Sequence, residues 1–181
     1  MEAEGILVPF GILEVKQKQF NVVYGSSLET SDFIVDGMSY WWRYNKHRYP
    51  DITMLQVDLD NGPELESHRT QFIKRIVDFS DKIKLPIELV YYPPYHSKYN
   101  PIEHCWGVLE NHWSGALLTD LDAVGEWTKT MRWDGIAPNI YFLDREYHRG
   151  AKLNARELKP YEKRLIRTPL IDRWSVFIQP Q

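Results

Sequence analysis

Runs of apolar residues at the start of the chain predict an antiparallel pair of strands. The stretch from Ile6 to Val15 is mostly apolar and predicts a strand, in which Pro9 marks an edge or a bend. The polar residues 16–19 predict a turn, and Phe20 to Tyr24 predict the return strand. The first element is therefore expected to be a β-hairpin.

Further along the chain, segments with helical spacing of apolar residues alternate with short apolar runs. Helices are predicted from a cap at Thr30 or Ser31, over about 68–82, from about Asn100, over 121–131 and over about 154–166. Strands are predicted at 53–59, at 87–92 and at 174–178, the first of them buried. Strands that alternate with helices after an antiparallel start predict an α/β fold in which helices flank a mixed sheet.

Length and charge narrow the organisation further. The 181 residues favour a single domain over 1–181, and 43% hydrophobic with 26% charged residues is ordinary for a folded protein. The net charge of −3 argues against a general nucleic-acid binder. Residues 145–173, however, carry nine basic and four acidic side chains, so this basic helical C-terminal part (about 145–181) could follow a phosphate backbone or form a solvated helix face.

Several classes of protein are excluded or disfavoured by what the sequence lacks. The single cysteine, Cys105, rules out an intramolecular disulfide and a cysteine-rich zinc site. No apolar stretch is long enough to span a bilayer, and the first residues lack a signal-peptide pattern. A cytoplasmic protein without a membrane partner is therefore expected.

Two acidic positions are candidates for chemistry because of the elements that they terminate or begin. Asp60 follows a predicted strand, where ligand sites of open α/β sheets lie, and Asp58 points to the same face. An Asp before Gly-Pro is also a common turn residue. Glu103 is the third residue of a helix capped by Asn100, where it either completes a capping box or offers a carboxylate to a metal such as Mg²⁺.

The segments around these two carboxylates resemble a known family. The stretch from Tyr91 to Trp106 is similar to the block around the catalytic glutamate of DDE transposases, with Pro-Pro, Asn-Pro-Ile-Glu and Trp shared with the Tc/mariner superfamily. The segment from Asp60 to Glu64, followed by Arg69 to Phe72, resembles the Azo group of insertion sequences, also called Rhodopirellula-type transposases. The resemblance covers roughly residues 30–180.

This resemblance implies a fold, a reaction and a set of ligands. It implies a ribonuclease-H-like fold in which three carboxylates hold two divalent ions, Mg²⁺ or Mn²⁺, for cleavage and transfer of DNA strands. Asp60 would be the second aspartate and Glu103 the glutamate, and the two should face each other across a cleft. The implied partners are double-stranded DNA, both transposon ends and target, and possible homodimer contacts.

The chain departs from the family pattern at its beginning. The family places its first aspartate on a strand ahead of the predicted hairpin, and none of the acidic residues Glu14, Asp32 and Asp36 occupies an equivalent position. We therefore expect a truncated catalytic domain that lacks this strand and does not cleave DNA, unless the missing portion is supplied separately. The alternatives are a non-catalytic remnant that binds DNA or a partner, and another nuclease of the same fold class.

Four basic residues are predicted to contact DNA phosphates. Lys98 lies about one turn before Glu103, and Arg149, Lys152 and Arg156 belong to the basic C-terminal part. We interpret Cys105 as a small buried side chain and not as a nucleophile.

Overall fold

The computed structural model describes residues 6–60, 62–93, 99–115 and 120–181. The chain folds into two compact units, each built from two segments: unit 1 comprises residues 1–29 and 98–147, and unit 2 comprises residues 30–97 and 148–181. The elements in chain order are β1 (Val8–Glu14), β2 (Gln19–Gly25), α1 (Ser31–Asn45), a short 3₁₀ turn (Lys46–Arg48), β3 (Leu55–Leu59), α2 (Thr70–Ile83), β4 (Ile87–Tyr91), α3 (Pro101–Trp113), α4 (Leu121–Thr130), β5 (Asn139–Leu143), α5 (Ala155–Glu162), β6 (Leu165–Arg167) and β7 (Ser175–Ile178).

Unit 1 is a three-stranded sheet covered by helices. Strand β2 lies in the centre, antiparallel to β1 and parallel to β5. Alternate residues of β2 point into a core that α3, α4 and the residue after α4 complete. This core consists of Phe20, Val22, Tyr24, Cys105, Leu109, Val124 and Met131. Burial of these side chains holds α3 against the hairpin, and this fixes where the N-terminus of α3 lies within the unit.

Unit 2 is a four-stranded sheet in the order β3-β4-β7-β6. Strands β3 and β4 are parallel, so their carboxyl ends lie at the same edge of the sheet, whereas β7 is antiparallel to both β4 and β6. Helices α1 and α2 contribute a largely apolar core with Phe33, Ile34, Phe72, Ile76 and Phe79. Arg75 of α2 also forms ion pairs with Asp32 and Asp36 of α1.

The predicted α/β fold is confirmed, since both sheets are mixed and are flanked by five helices, consistent with a ribonuclease-H-like fold. The predicted hairpin, first three helices and strands at 87–92 and 174–178 are present to within about three residues. The burial expected for strand 53–59 is wrong, because β3 forms an edge of its sheet and exposes Gln56 and Asp58.

In the C-terminal half, the end of one predicted helix is wrong and one strand was not predicted. The helix predicted over 154–166 ends at Glu162, because Leu165 to Arg167 pair with β7 and form β6. Strand β5 was not expected, because its five residues form a strand through parallel pairing with β2, about 118 residues earlier in the chain. Both differences arise from pairing partners that are distant in sequence.

Candidate functional site

Asp60 directly follows β3, at the edge of the sheet where parallel strands β3 and β4 end. The last residue of the strand, Leu59, is buried and its carbonyl accepts a hydrogen bond from the Tyr92 backbone N–H (2.9 Å). Asp60 itself is exposed, and its carboxylate forms no hydrogen bond or ion pair with any residue in the described ranges. The sheet therefore anchors the backbone next to Asp60, while its exposed side chain stays free of partners in the described structure.

Asp58 differs from Asp60 in having a side-chain partner. It lies within β3, is exposed, and accepts a hydrogen bond from Gln56 Nε2 (2.7 Å) on the same face of the strand. Its negative charge also contributes, after burial, to raising the pKa of Tyr92. Since one oxygen of Asp58 is already engaged, Asp60 is the freer of the two carboxylates.

Glu103 lies in the first turn of α3, in unit 1. Asn100 is the N-cap, as predicted, and its side chain accepts a hydrogen bond from the Ile102 backbone N–H (3.4 Å), with Pro101 as the first helical residue. The reciprocal contact that would complete a capping box, one of the two alternatives for Glu103, is absent from the described structure: the exposed Glu103 carboxylate does not return to Asn100. By contrast, Asn154 and Glu157 form both halves of a capping box at α5. Capping therefore does not account for the carboxylate of Glu103.

The helix that carries Glu103 is held by its buried face. Cys105 and Leu109 are buried in the core of unit 1, and Trp106 packs edge to face on Phe20 with ring centroids 5.2 Å apart. Cys105 is fully buried, which confirms the prediction that it is a small buried side chain, and this burial raises the pKa of its thiol to about 12. The first turn of α3 thus presents Glu103 from a firmly packed element.

The other acidic residues that were considered as ligands are occupied by structural contacts. Glu14 is buried and accepts a hydrogen bond from Asn21 Nδ2 (3.0 Å). Asp32 lies 3.1 Å from Arg75 Nε and also accepts from Gln71, whereas Asp36 pairs with Arg75. None of the three offers a carboxylate comparable to those of Asp60 and Glu103.

A divalent cation prefers carboxylate oxygens that keep open coordination positions. Asp60 and Glu103 match this donor chemistry, since both are exposed and neither is paired within the described ranges. No group of three or more His, Cys, Asp or Glu residues that could hold a metal ion occurs among the described residues. Each of the two side chains thus fits a single carboxylate ligand of a cation.

The basic residues predicted to contact DNA have different positions. Arg149, Lys152 and Arg156 are exposed in unit 2, and their side chains form no hydrogen bond or ion pair within the described ranges. Lys98 lies outside the described residues. Other basic residues of the same segment are structural: Arg164 binds both carboxylate oxygens of Asp81 (2.6 and 2.5 Å), and Arg167 donates to the Ser67 carbonyl (2.7 Å).

The face of α5 extends this basic surface beyond the predicted residues. Arg156, Lys159 and Lys163 recur at helical spacing and line an open depression together with Arg164 and Gln181. Lys159 and Lys163 are exposed and were not singled out as DNA contacts, although their spacing in the sequence already places them on one helix face. None of the helices in the described ranges is both long and apolar enough to cross a membrane.

Comparison with known proteins identifies the family. Neither the search of curated proteins nor the search of solved structures gave a match. The family model described as the Rhodopirellula transposase DDE domain matches residues 1–180, which is nearly the whole chain. The chain, with an exposed aspartate after a parallel strand and an exposed glutamate in the first turn of a packed helix, therefore belongs to the DDE transposase domain family of the Rhodopirellula type.

Proposed function

We propose that the chain serves DNA transposition and that Asp60 and Glu103 are its metal-binding carboxylates. The proposal rests on the exposure of these two side chains, which form no hydrogen bond or ion pair in the described structure. Their positions in the sequence resemble those of the family's second aspartate and its glutamate. When bound, a divalent cation supplies activation of water or a 3′-hydroxyl and stabilises the leaving oxygen at phosphorus. The role of the two side chains is to hold that cation.

The number of carboxylate ligands also determines whether the chain can cut DNA by itself. Two carboxylates hold one Mg²⁺ or Mn²⁺ ion weakly, whereas a site for two ions needs a further anionic ligand to offset the repulsion between them. Glu14, Asp32 and Asp36 are engaged in structural contacts, so they do not fill this role. We therefore infer that the chain binds a single cation and DNA but does not cut DNA unaided.

A Mn²⁺ titration of the full chain tests the ligand assignment. Asp60→Asn and Glu103→Gln each preserve size and remove the charge, and each should abolish most of the binding measured by paramagnetic broadening of nearby backbone amides. If the two residues share one ion, the double variant should bind no more weakly than the worse single variant. Additive losses would instead indicate two separate weak sites and contradict the proposal.

Asp58→Asn is the matched control within the same strand. Since Asp58 is already hydrogen-bonded to Gln56, its substitution should leave Mn²⁺ affinity nearly unchanged. Loss of Mn²⁺ binding in Asp58→Asn but not in Asp60→Asn would show that Asp58, two residues earlier on the same face of the strand, is the ligand. Nicking of a supercoiled plasmid by the chain in Mg²⁺ or Mn²⁺ would refute the inference that it does not cut DNA.

The basic surface of unit 2 supports contact with DNA. We propose that Arg149, Lys152 and Arg156 bind backbone phosphates, and that Lys98, five residues before Glu103 in the sequence, does so as well. In support, the three arginine and lysine side chains of unit 2 are exposed and free of intramolecular ion pairs in the described structure, so no internal partner competes for them. Such contacts position a duplex without reading its sequence.

A further inference from the structure

The loop between Asp60 and α2 is fastened to the rest of unit 2 through its backbone carbonyls. Tyr91 Oη donates to the carbonyl of Leu65 (2.9 Å), and Arg167 donates to the carbonyl of Ser67 (2.7 Å). The carbonyl of Glu64 accepts from Ser31 Oγ (2.8 Å). The fastening side chains come from β4, β6 and α1, so three separate elements hold one loop.

The side chains of Ser31, Glu64 and Arg69 form a second fastening. The Glu64 carboxylate accepts from the Ser31 backbone N–H (3.2 Å) and pairs with Arg69 Nη2 (2.7 Å), and Arg69 Nε donates to Ser31 Oγ (3.1 Å). Ser31 is the first residue of α1, where unpaired N–H groups and the helix dipole favour an anion. The planar guanidinium of Arg69 reaches two acceptors at a fixed angle, which a lysine cannot do.

The contacts of this cluster are polar, and they join the loop to the first turn of α1. Glu64 follows Asp60 by four residues, and Arg69 is the N-cap residue of α2. The cluster therefore holds the segment that follows the proposed metal ligand at two points, Glu64 and Arg69. Asp60 itself has no partner within the described ranges, so the position of its carboxylate depends on the backbone that this loop continues.

We propose that Ser31, Glu64 and Arg69 are positioning residues that fix the loop after β3 and thereby hold the Asp60 carboxylate in place for a divalent cation. This inference rests on the proposed function, in which Asp60 is a ligand. An anchored ligand binds more tightly because less conformational freedom is lost when the ion arrives. Substitution of residues that orient metal ligands typically weakens metal binding by about 10–100-fold, and we expect an effect at the lower end of that range.

The test compares Arg69→Lys with a matched variant elsewhere on α2. Arg75 is nearly as exposed as Arg69 (23% against 26% of the side chain) and also pairs with carboxylates at the start of α1, namely Asp32 and Asp36. Both Arg69→Lys and Arg75→Lys should lower the melting temperature of the full chain. Only Arg69→Lys should weaken Mn²⁺ binding, by about tenfold, as followed by broadening of the Leu59 and Gly62 amides.

The outcomes separate this inference from the proposed function. Unchanged Mn²⁺ affinity in Arg69→Lys, or an equal loss in Arg75→Lys, would overturn the positioning role while leaving Asp60 as a ligand. If the wild-type chain shows no broadening at Leu59, or if Asp60→Asn leaves the broadening unchanged, the ligand assignment itself fails. Glu64→Gln provides a second variant, expected to act in the same direction as Arg69→Lys.

Discussion

The reactivity of the Cys105 thiol in α3 is determined by the side chains that bury it. Its side chain is fully buried between α3 and β2, and burial raises its pKa to about 12. The thiolate is the reactive form of cysteine, and both its formation and its accessibility are suppressed here. Glu103, two residues earlier on the same helix, is exposed, so this part of α3 has one buried and one exposed face.

We therefore expect Cys105 to resist an aromatic disulfide reagent at neutral pH. Because burial raises the pKa, the thiolate stays a very small fraction of the thiol at pH 8–9, where an ordinary cysteine ionises, so labelling of the folded protein should stay slow over this range. The absorbance of the released thiolate measures the rate, and in denaturant one equivalent should react quickly. Rapid native-state labelling at pH 8 would contradict the packing described for α3.

At the residue scale, helix caps could be predicted from neighbouring residues, whereas contacts between residues distant in the sequence could not. The caps at Thr30 and Asn100 follow from side chains that bond to their own helix, and both are present. The engagement of Glu64 by Arg69 and Ser31 could not be predicted, because Ser31 lies 33 residues before Glu64. Asp60 and Glu103 were chosen from their places in predicted elements, and their role as ligands stays a prediction.

At the scale of elements, the contact between β1 and α3 depends on a residue without a side chain. A Cβ at Gly11 would lie 2.5 Å from Trp106 Cζ2 and 3.0 Å from Ile102 Cδ1. Both neighbours belong to the packed face of α3, so neither can withdraw without disturbing the core of unit 1. Gly11 is thus what allows the helix that carries Glu103 to approach the hairpin this closely.

Gly11→Ala should destabilise the chain by about 1–3 kcal/mol, as overpacking of a core contact does. Urea unfolding followed by tryptophan fluorescence measures the change in free energy. The control is Gly107→Ala in α3, where an added Cβ meets nothing within 4 Å and should stabilise the helix by about 0.5–1 kcal/mol. A neutral Gly11→Ala would show that α3 can shift on the hairpin.

The elements that sequence patterns missed share one cause. Strand β6 has three residues and forms by pairing with β7, and β5 forms by pairing with β2. Short strands carry little periodicity of their own, and their conformation depends on a pairing partner elsewhere in the chain. Helices, whose hydrogen bonds are internal, were predicted more accurately.

At the scale of the whole molecule, binding to DNA should depend on where the positive charges lie more than on the net charge. The net charge is −3, yet Arg149, Lys152 and Arg156 lie unpaired on the surface of unit 2 in the described structure. Release of counterions depends on local contacts between cations and phosphates, not on net charge. Binding to DNA should therefore be independent of sequence and weaken steeply as salt rises.

Replacing these three residues with alanine should lower affinity about equally for unrelated duplexes. The slope of log affinity against log salt should fall by about 2.7, or about 0.9 for each lost phosphate contact, as measured by fluorescence anisotropy. The control replaces Lys16, Lys46 and Lys82, which are also exposed and unpaired within the described ranges and change the net charge equally. Equal effects of both triple variants would indicate that net charge alone governs binding.

The division of each unit between two chain segments has a consequence for synthesis on the ribosome. The apolar face of β2 is complete at residue 25, whereas α3, which covers it, ends at residue 113, 88 residues later. At about 5–20 residues per second, the emerging hairpin waits about 4–18 s before its covering helix exists. Over that interval Phe20, Val22 and Tyr24 form an uncovered β-surface, so the nascent chain is vulnerable to aggregation at this hairpin.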